Sequence, residues 1–191
     1  YYVGAASGGL FKTTNKGISW EPIFDDQDVS SVSAIAISQK NPNIVWAGTG
    51  ETFLIRPAHA IGDGIYKSED GGNTWKNMGL QKTARIAKIV IHPKNDKIVY
   101  VAALGHTFGP QEDRGIYKTT NGGKTWKKIL FIDQNTGGID IALDRKNPNF
   151  LIASMWEIYI NTWGLNSGGE SGGVFISKNA GKSWERQDKN G

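Results

Sequence analysis

The chain of 191 residues contains no cysteine. This absence excludes disulfide bonds, zinc–thiolate sites and catalysis by a thiol. Histidine is also scarce, and His59, His92 and His106 lack the spacing of metal ligands, so the sequence predicts neither a metal site nor a cofactor. No apolar run reaches the roughly 20 residues that a transmembrane helix needs. The sequence therefore predicts no insertion into a membrane.

Positive charge is present but not concentrated. The 22 Lys and Arg residues exceed the 18 Asp and Glu residues, which gives a net charge of +4. These basic residues are dispersed along the chain, and no long basic run occurs. We interpret them as parts of a solvated surface and predict no binding to nucleic acid.

Glycine and aromatic residues are abundant, and many of them belong to one repeated motif. The chain has 25 Gly and 7 Trp, which is typical of many short strands joined by tight turns. The motif is Ser/Thr-x-Asp/Asn-x-Gly-x-Ser/Thr-Trp, and its Asx and Trp positions are Asn15 and Trp20, Asp70 and Trp75, Asn121 and Trp126, and Asn179 and Trp184. The Asx side chain accepts hydrogen bonds from turn amides, the glycine permits a positive φ, and the tryptophan packs beside the turn.

Three of the four Asx residues are asparagine, and only Asp70 is a carboxylate. The position therefore needs a hydrogen-bond acceptor rather than an acid. This composition argues against acid–base catalysis or cation binding at the repeated turns, since both would require the charge.

The repeated motif resembles the Asp-box, or BNR, repeat of sialidase-like β-propellers. The wider sequence is similar to the bacterial sortilin-like (VPS10-type) group often called BNR-repeat glycosyl hydrolases, and the matching segments are 47–51, 62–68, 89–93 and 101–106. This resemblance implies an all-β propeller of four-stranded antiparallel blades in a secreted, periplasmic or cell-surface protein. It does not fix the activity, because such propellers include hydrolases, receptors and assembly factors. An assembly factor is disfavoured here, because the sequence is closer to the sortilin-like group.

A second motif, at 40–43, 94–97 and 146–149, recurs in phase with the first and marks the turn between first and second strands. Together the motifs predict one propeller segment over residues 1–191, with blades at 1–24, 32–79, 85–131 and 138–188. The first blade lacks its innermost strand. We therefore expect the ring to be completed by the remaining blades of a longer chain or by a second copy.

Three long connections between second and third strands should share the face opposite the Asp boxes, at 51–63, 105–114 and 156–172. Rings that stack on sugars and charges that fix orientation favour a polypeptide or glycan site there. The candidate ligand-binding residues are Arg56, His59, Asp63, His106, Arg114, Trp156, Tyr159 and Trp163. The alternative is that the aromatic rings cap the blade ends while the charges are solvated.

A catalytic role has weaker support in the sequence. A sialidase would need three arginines that converge on the substrate carboxylate, and the chain has only Arg56, Arg85, Arg114, Arg145 and Arg186. Another glycosidase would need two carboxylates about 5 to 9.5 Å apart. The main candidates are Glu112, Asp113 and Glu157, while Glu51, Asp63 and Asp133 are further acids whose convergence the sequence leaves open. The sequence thus favours a non-catalytic ligand-binding or scaffolding propeller; the alternative is a segment of a xyloglucanase-like or sialidase-like glycoside hydrolase.

Overall fold

The computed structural model describes residues 1–52 and 60–187, which form four antiparallel sheets. Within these ranges there is no α-helix, and one short 3-10 turn occurs at Gln81–Thr83. The prediction of an all-β chain is confirmed.

The first sheet has three strands and the next two have four each. The first contains β1 (Tyr2–Ala5), β2 (Gly9–Lys12) and β3 (Glu21–Pro22). The second contains β4 (Val32–Ile37), β5 (Val45–Thr49), β6 (Ile65–Ser68) and β7 (Lys76–Asn77). The third contains β8 (Ile86–Ile91), β9 (Val99–Ala103), β10 (Gly115–Thr119) and β11 (Lys127–Leu130).

The fourth sheet has an additional strand. It contains β12 (Thr136–Leu143), β13 (Leu151–Asn161), β15 (Gly173–Ser177) and β16 (Glu185–Arg186), and β14 (Gly164–Ser167) pairs with the far end of β13. The residues 156–172 were predicted to form a loop, and this prediction is wrong. The segment alternates polar and apolar side chains as a half-buried strand does, and its turn is closed by Asn161, whose Oδ1 accepts the N–H groups of Trp163 and Gly164 at 2.9 Å.

The innermost strands β4, β8 and β12 pack side by side, and among residues 1–52 and 60–187 the first sheet has no strand at that position. Each of the three has a bulge near its start, between Val32 and Ala34, Ile86 and Lys88, and Gly138 and Asp140. A bulge bends a strand and increases its twist, so the same device recurs where each sheet turns toward the common axis. Lys88 and Asp140 lie 3.9 Å apart across two of these strands.

The sheets pack on one another through equivalent apolar clusters. Leu10 and Phe24 of the first sheet pack on Ala47 and Tyr66 of the second, and similar clusters join the second sheet to the third and the third to the fourth. The second strands β5 and β9 are buried along their whole length because a neighbouring sheet covers each of their two faces. Burial on both faces explains why these strands are continuously apolar or small rather than alternating.

A lysine and an aromatic ring add a polar contact between neighbouring sheets. Lys12 lies opposite Tyr2 in the sheet, 5.8 Å from its ring centre, and its Nζ donates to the Gly71 carbonyl in the next sheet at 2.7 Å. The third sheet repeats this arrangement with Lys118, Tyr100 and the Ala180 carbonyl.

The two outer flanks of the row of sheets remain exposed. Val3 is 48% exposed, whereas Ala47, Val101 and Ala153 at the equivalent position of the other sheets are fully buried. On the opposite flank, Ile152 and Val174 of the fourth sheet are 37% and 39% exposed. Both flanks thus present the apolar side chains that elsewhere in the molecule pack against a neighbouring sheet.

Candidate functional site

The four repeated turns share one hydrogen-bond pattern. In the first, Thr13 Oγ1 accepts the Gly17 N–H at 2.9 Å and Asn15 Oδ1 accepts the Ser19 N–H at 3.0 Å. The other three turns reproduce both bonds within 0.1 Å of these values, at Ser68 and Asp70, Thr119 and Asn121, and Ser177 and Asn179. The Asx oxygen and the first hydroxyl thus satisfy the amides of the turn, which closes without any bound ligand.

Asp70, the single carboxylate among these turns, makes the same hydrogen bonds as the asparagines, except that the bond to the neighbouring hydroxyl runs in the opposite direction. The Thr74 hydroxyl donates to Asp70 Oδ2 at 2.6 Å, whereas Asn121 Nδ2 donates to the Thr125 hydroxyl at 2.8 Å. Hydrogen bonds from the Thr74 side chain, the Thr74 N–H and Ser68 lower the pKa of Asp70 to about 2. The hydroxyl rotates to suit either partner, so the turn accepts both residue types.

We expect Asp70→Asn to leave the melting temperature at neutral pH within roughly 2 °C of the wild type, because the hydroxyl of Thr74 then accepts from the amide. At acid pH the stabilities of the two proteins should differ. The pKa of Asp70 is lower in the folded chain than in the unfolded one, so its contribution is present above about pH 4 and is lost toward pH 2. Asp70→Asn has no titrating group at this turn and should lose less stability than the wild type toward pH 2; thermal melts at neutral pH and across the acid range measure the difference.

The reverse exchange, Asn121→Asp in the third sheet, is the matched control. It should gain the acid-dependent contribution and be otherwise silent. A large loss of stability in Asp70→Asn at neutral pH would show instead that the charge itself has a role at this turn.

The long connections lie at the other end of the sheets, and Arg114 joins them. Its side chain is fully buried. Arg114 Nη1 donates to the carbonyls of Asn135 and Ile158 at 2.6 and 2.8 Å, and Nη2 donates to the His106 carbonyl at 2.6 Å. Burial lowers the pKa of Arg114 to about 10, and the nearby Asp133 opposes this effect. The contacts of this predicted ligand-binding residue are therefore with the protein backbone.

Arg85 has an equivalent role that the sequence did not indicate. It precedes β8 and is fully buried; its Nε donates to the Glu51 carbonyl at 2.9 Å and its Nη1 to the Gly105 carbonyl at 3.3 Å. The two arginines thus connect all three long connections to one another. An arginine directly before an otherwise apolar inner strand was the available signal.

The candidate carboxylates are not gathered in one place. Glu112 is exposed and accepts from Gln134 Nε2 at 3.4 Å, while the backbone carbonyl of Asp113 accepts from the Tyr117 hydroxyl at 3.0 Å. Glu157 lies elsewhere, beside Ser171, whose N–H donates to Glu157 Oε2 at 3.0 Å.

Asp133 joins Glu157 at the same serine. Burial alone would raise the pKa of Asp133, but hydrogen bonds from the Ser171 side chain and the Asn135 N–H lower it below its usual value. Both carboxylates therefore interact with Ser171, Glu157 through the Ser171 N–H and Asp133 through the lowering of its pKa. A carboxylate with a lowered pKa, such as Asp133, suits the role of a base or a fixed charge rather than that of a proton donor.

Asp63 is held inside the second sheet. Its Oδ2 accepts from the Tyr66 hydroxyl at 2.5 Å, and its Oδ1 from the Thr49 hydroxyl at 3.3 Å. Burial raises the pKa of Tyr66 to about 12, and the bond to Asp63 adds to that effect. The candidates Arg56 and His59 lie outside the described residues.

Exposed rings stand on the hairpin formed by β13 and β14 and on the loop beside it. Trp163, at the tip of the hairpin, is 93% exposed, and Phe108 is 46% exposed. The loop lies along the hairpin because the Ile160 N–H donates to the Thr107 carbonyl at 2.7 Å. The rings of Phe108 and His106 meet edge to face, with centres 6.1 Å apart.

The two other predicted aromatic residues support the hairpin. Trp156 Nε1 donates to the Ser167 hydroxyl at 3.2 Å, and Tyr159 pairs with Asn166 across the strands. Both are half-buried. The structure thus brings Trp156, Tyr159, Trp163 and His106 to one region of the long-connection face and places Asp63 in another.

The described residues contain neither a metal-binding cluster nor a membrane-spanning helix. No group of three or more His, Asp or Glu side chains is placed to hold a metal ion in residues 1–52 and 60–187. The same part of the chain has no helix long and apolar enough to cross a membrane.

The four sheets define a segment of a β-propeller. The model of the Sortilin-Vps10 family (sortilin, neurotensin receptor 3) matches residues 63–191, and the chain belongs to this family. The resemblance to sortilin-like propellers is therefore confirmed.

Enzymes are among the proteins of similar sequence and structure. An ancestral GH74 enzyme superimposes on the whole chain with a TM-score of 0.71 at 21% identity, and the GH74 enzyme of Niastella koreensis on 97% of it with a TM-score of 0.70 at 22% identity. A xyloglucanase of Hypocrea jecorina is 24% identical over 93% of the chain. The chain spans 22%, 27% and 23% of these three proteins.

Proposed function

We propose that this chain is a segment of a larger propeller of a secreted, periplasmic or cell-surface protein, and that the segment binds a polysaccharide through its long-connection face. The observation that carries the proposal is the pair of exposed rings, Trp163 and Phe108, on backbone that is fixed by a strand hairpin and by the buried Arg114. A flat, exposed ring on a rigid support is a stacking surface for the apolar face of a sugar.

Polar groups beside the rings would fix the orientation of the chain that binds. Glu157 lies at the base of the hairpin, and both Glu157 and Asp133 interact with Ser171. Carboxylates that accept hydrogen bonds suit sugar hydroxyls, which are donors. The names of the relatives, which include a xyloglucanase, favour a glycan over a polypeptide as the ligand.

Hydrolysis is the second candidate function. The same names favour it, and Glu157 and Asp133 are the pair of carboxylates that would perform it. Against it, the lowered pKa of Asp133 leaves Glu157 as the proton donor of such a pair, and Glu157 already accepts a hydrogen bond from the Ser171 N–H. We therefore assign glycan binding rather than hydrolysis to this segment. We further propose that additional blades or a second copy cover its two exposed flanks.

Trp163→Ala should weaken binding of xyloglucan oligosaccharides about tenfold, because a stacked ring contributes on the order of 1 kcal/mol or more. Titration calorimetry with the variant and the wild type measures the change. The control is Trp20→Ala, which removes another exposed indole on the flank of the first sheet and should leave affinity unchanged.

Assays of reducing-sugar release separate the two candidate functions. We expect no release by the wild type. Release that disappears in both Glu157→Gln and Asp133→Asn would establish the hydrolase instead, and affinity that is the same in Trp163→Ala and the wild type would contradict the assigned surface.

A further inference from the structure

Two sheets place lysines directly opposite each other on neighbouring strands. Lys67 pairs with Lys76 in the second sheet, and Lys118 pairs with Lys127 at the same position of the third. The first and fourth sheets have Lys12 opposite Glu21 and Ile176 opposite Glu185. Like charges directly opposite in a sheet are destabilising, and the contact of Lys118 with the next sheet does not account for the placement of Lys127 opposite it.

The repeated turn of the next sheet adds another lysine to each pair. Lys124 lies in the groove between the second and third sheets, and Lys182 in the groove between the third and fourth. In the first of these grooves Glu69 forms an ion pair with Lys67 at 2.5 Å. The second groove, called the lysine groove below, has no carboxylate among its described lining residues.

The lysine groove combines positive charge with hydroxyl groups and a ring. Its lining includes Lys118, Lys127, Lys128, Lys182, Thr120, Thr125 and Trp126. Lys118 Nζ donates to the Ala180 carbonyl at 2.9 Å, so this ammonium group is fixed against the wall. Lys127 and Lys182 are exposed at the rim.

The charges in this groove repel one another. The pKa of Lys118 is lowered first by burial and then by the nearby charges of Lys182 and Lys127. An anion bound between these side chains would reverse the effect, because it replaces repulsion by attraction. The groove therefore gains more from a bound anion than a single surface lysine would.

We propose that the lysine groove binds the sulfate or carboxylate groups of an acidic polysaccharide. The ammonium group of Lys128 donates to the Glu112 carbonyl and lies over the Phe131 ring, so Lys118, Lys127 and Lys182 supply the charge of the groove. A groove with three ammonium groups matches a single chain that has an anionic group on successive sugars. Nucleic-acid-binding proteins have a broad basic face, whereas the basic residues of this chain are otherwise dispersed and its net charge is only +4. This site lies at the opposite end of the sheets from the stacking surface and is independent of it.

Binding of dextran sulfate tests the proposal, with uncharged dextran and single-stranded DNA of similar length as comparison probes. The wild type should bind dextran sulfate at low salt and release it as salt rises, since screening weakens exposed charge pairs. The double variant Lys127→Gln/Lys182→Gln should lose about tenfold in affinity and show a shallower salt dependence. Lys118 is left unchanged because it contacts the neighbouring sheet.

The matched control removes the same number of charges elsewhere. Lys40 and Lys82 are exposed and lie outside the groove, so Lys40→Gln/Lys82→Gln should change affinity less than about twofold. Equal losses in the two double variants would overturn the site. No binding of dextran sulfate at low salt would overturn the proposal, and DNA binding of equal strength and equal sensitivity to the variants would overturn its assignment to a polysaccharide.

Discussion

Replacing Arg114 with leucine is expected to lower the free energy of unfolding by about 2 to 6 kcal/mol. The guanidinium group is fully buried and donates to the carbonyls of His106, Asn135 and Ile158. Leucine fills much of the space but donates to none of them. The Asn135 carbonyl keeps the Ile158 N–H at 3.0 Å, whereas the carbonyls of His106 and Ile158 each lose the donor that Arg114 supplies, and a buried carbonyl without a partner costs about 1 to 3 kcal/mol. Urea denaturation followed by tryptophan fluorescence measures the loss.

Two further variants define the cause of that loss. Arg114→Lys keeps the charge but offers a single ammonium group in place of the planar fork, so it should be intermediate. Arg145→Leu removes an exposed arginine from a turn at the other end of the sheets and should change stability by less than about 0.5 kcal/mol. A loss below 1 kcal/mol in Arg114→Leu would show that the carbonyls of His106 and Ile158 find other donors and that the arginine does not hold the connections together.

The sequence predicted the features of the fold that depend on local chemistry. Each repeated turn combines an Asx acceptor, a glycine with positive φ and a hydroxyl within one short segment, so its conformation is encoded in place. The in-phase recurrence of these turns then determined the number of sheets and the missing strand of the first. The resemblance to a family added the arrangement of the sheets around an axis.

The candidate site was less predictable, because burial depends on residues that are distant in the sequence. Arg114 follows Glu112 and Asp113 in a polar connection, and that context indicates a solvent-exposed arginine. Its burial comes from the Ile158 carbonyl on a strand of the next sheet, which no local pattern reports. Glu157 and Asp133 meet at Ser171 for the same reason, through contacts between separate connections.

The sequence at the end of β13 already has the alternation of a strand. Trp156, Ile158 and Ile160 alternate with polar or less apolar residues, which is the period of a strand. The second strands of the second and third sheets end after five residues, whereas β13 continues to Asn161. The repeat thus predicted the strands that all sheets share but not the hairpin of β13 and β14, which occurs in the fourth sheet. This hairpin also presents the exposed ring of Trp163.

The repeated tryptophans differ in what packs on them, and this difference leads to the second large effect. Trp126→Ala should lower the free energy of unfolding by about 3 to 5 kcal/mol. The indole of Trp126 meets Trp46 of the preceding sheet edge to face, with ring centres 6.0 Å apart, and its Nε1 donates to the Met78 carbonyl at 2.8 Å. Truncation therefore removes an aromatic contact and a hydrogen bond from the interface between two sheets, and leaves a cavity there.

The first sheet provides the matched control, because Trp20 occupies the same position of the motif but is 40% exposed on the outer flank. Trp20→Ala should cost less than about 1 kcal/mol, since little apolar surface returns to water. Trp126→Phe should be intermediate, because it keeps a ring against Trp46 and loses the bond to the Met78 carbonyl, which is worth about 1 kcal/mol. Equal losses in Trp20→Ala and Trp126→Ala would mean that the tryptophan stabilises its own turn rather than the contact between sheets. Urea denaturation of the three variants distinguishes these outcomes, and the expected order of stability is Trp20→Ala, then Trp126→Phe, then Trp126→Ala.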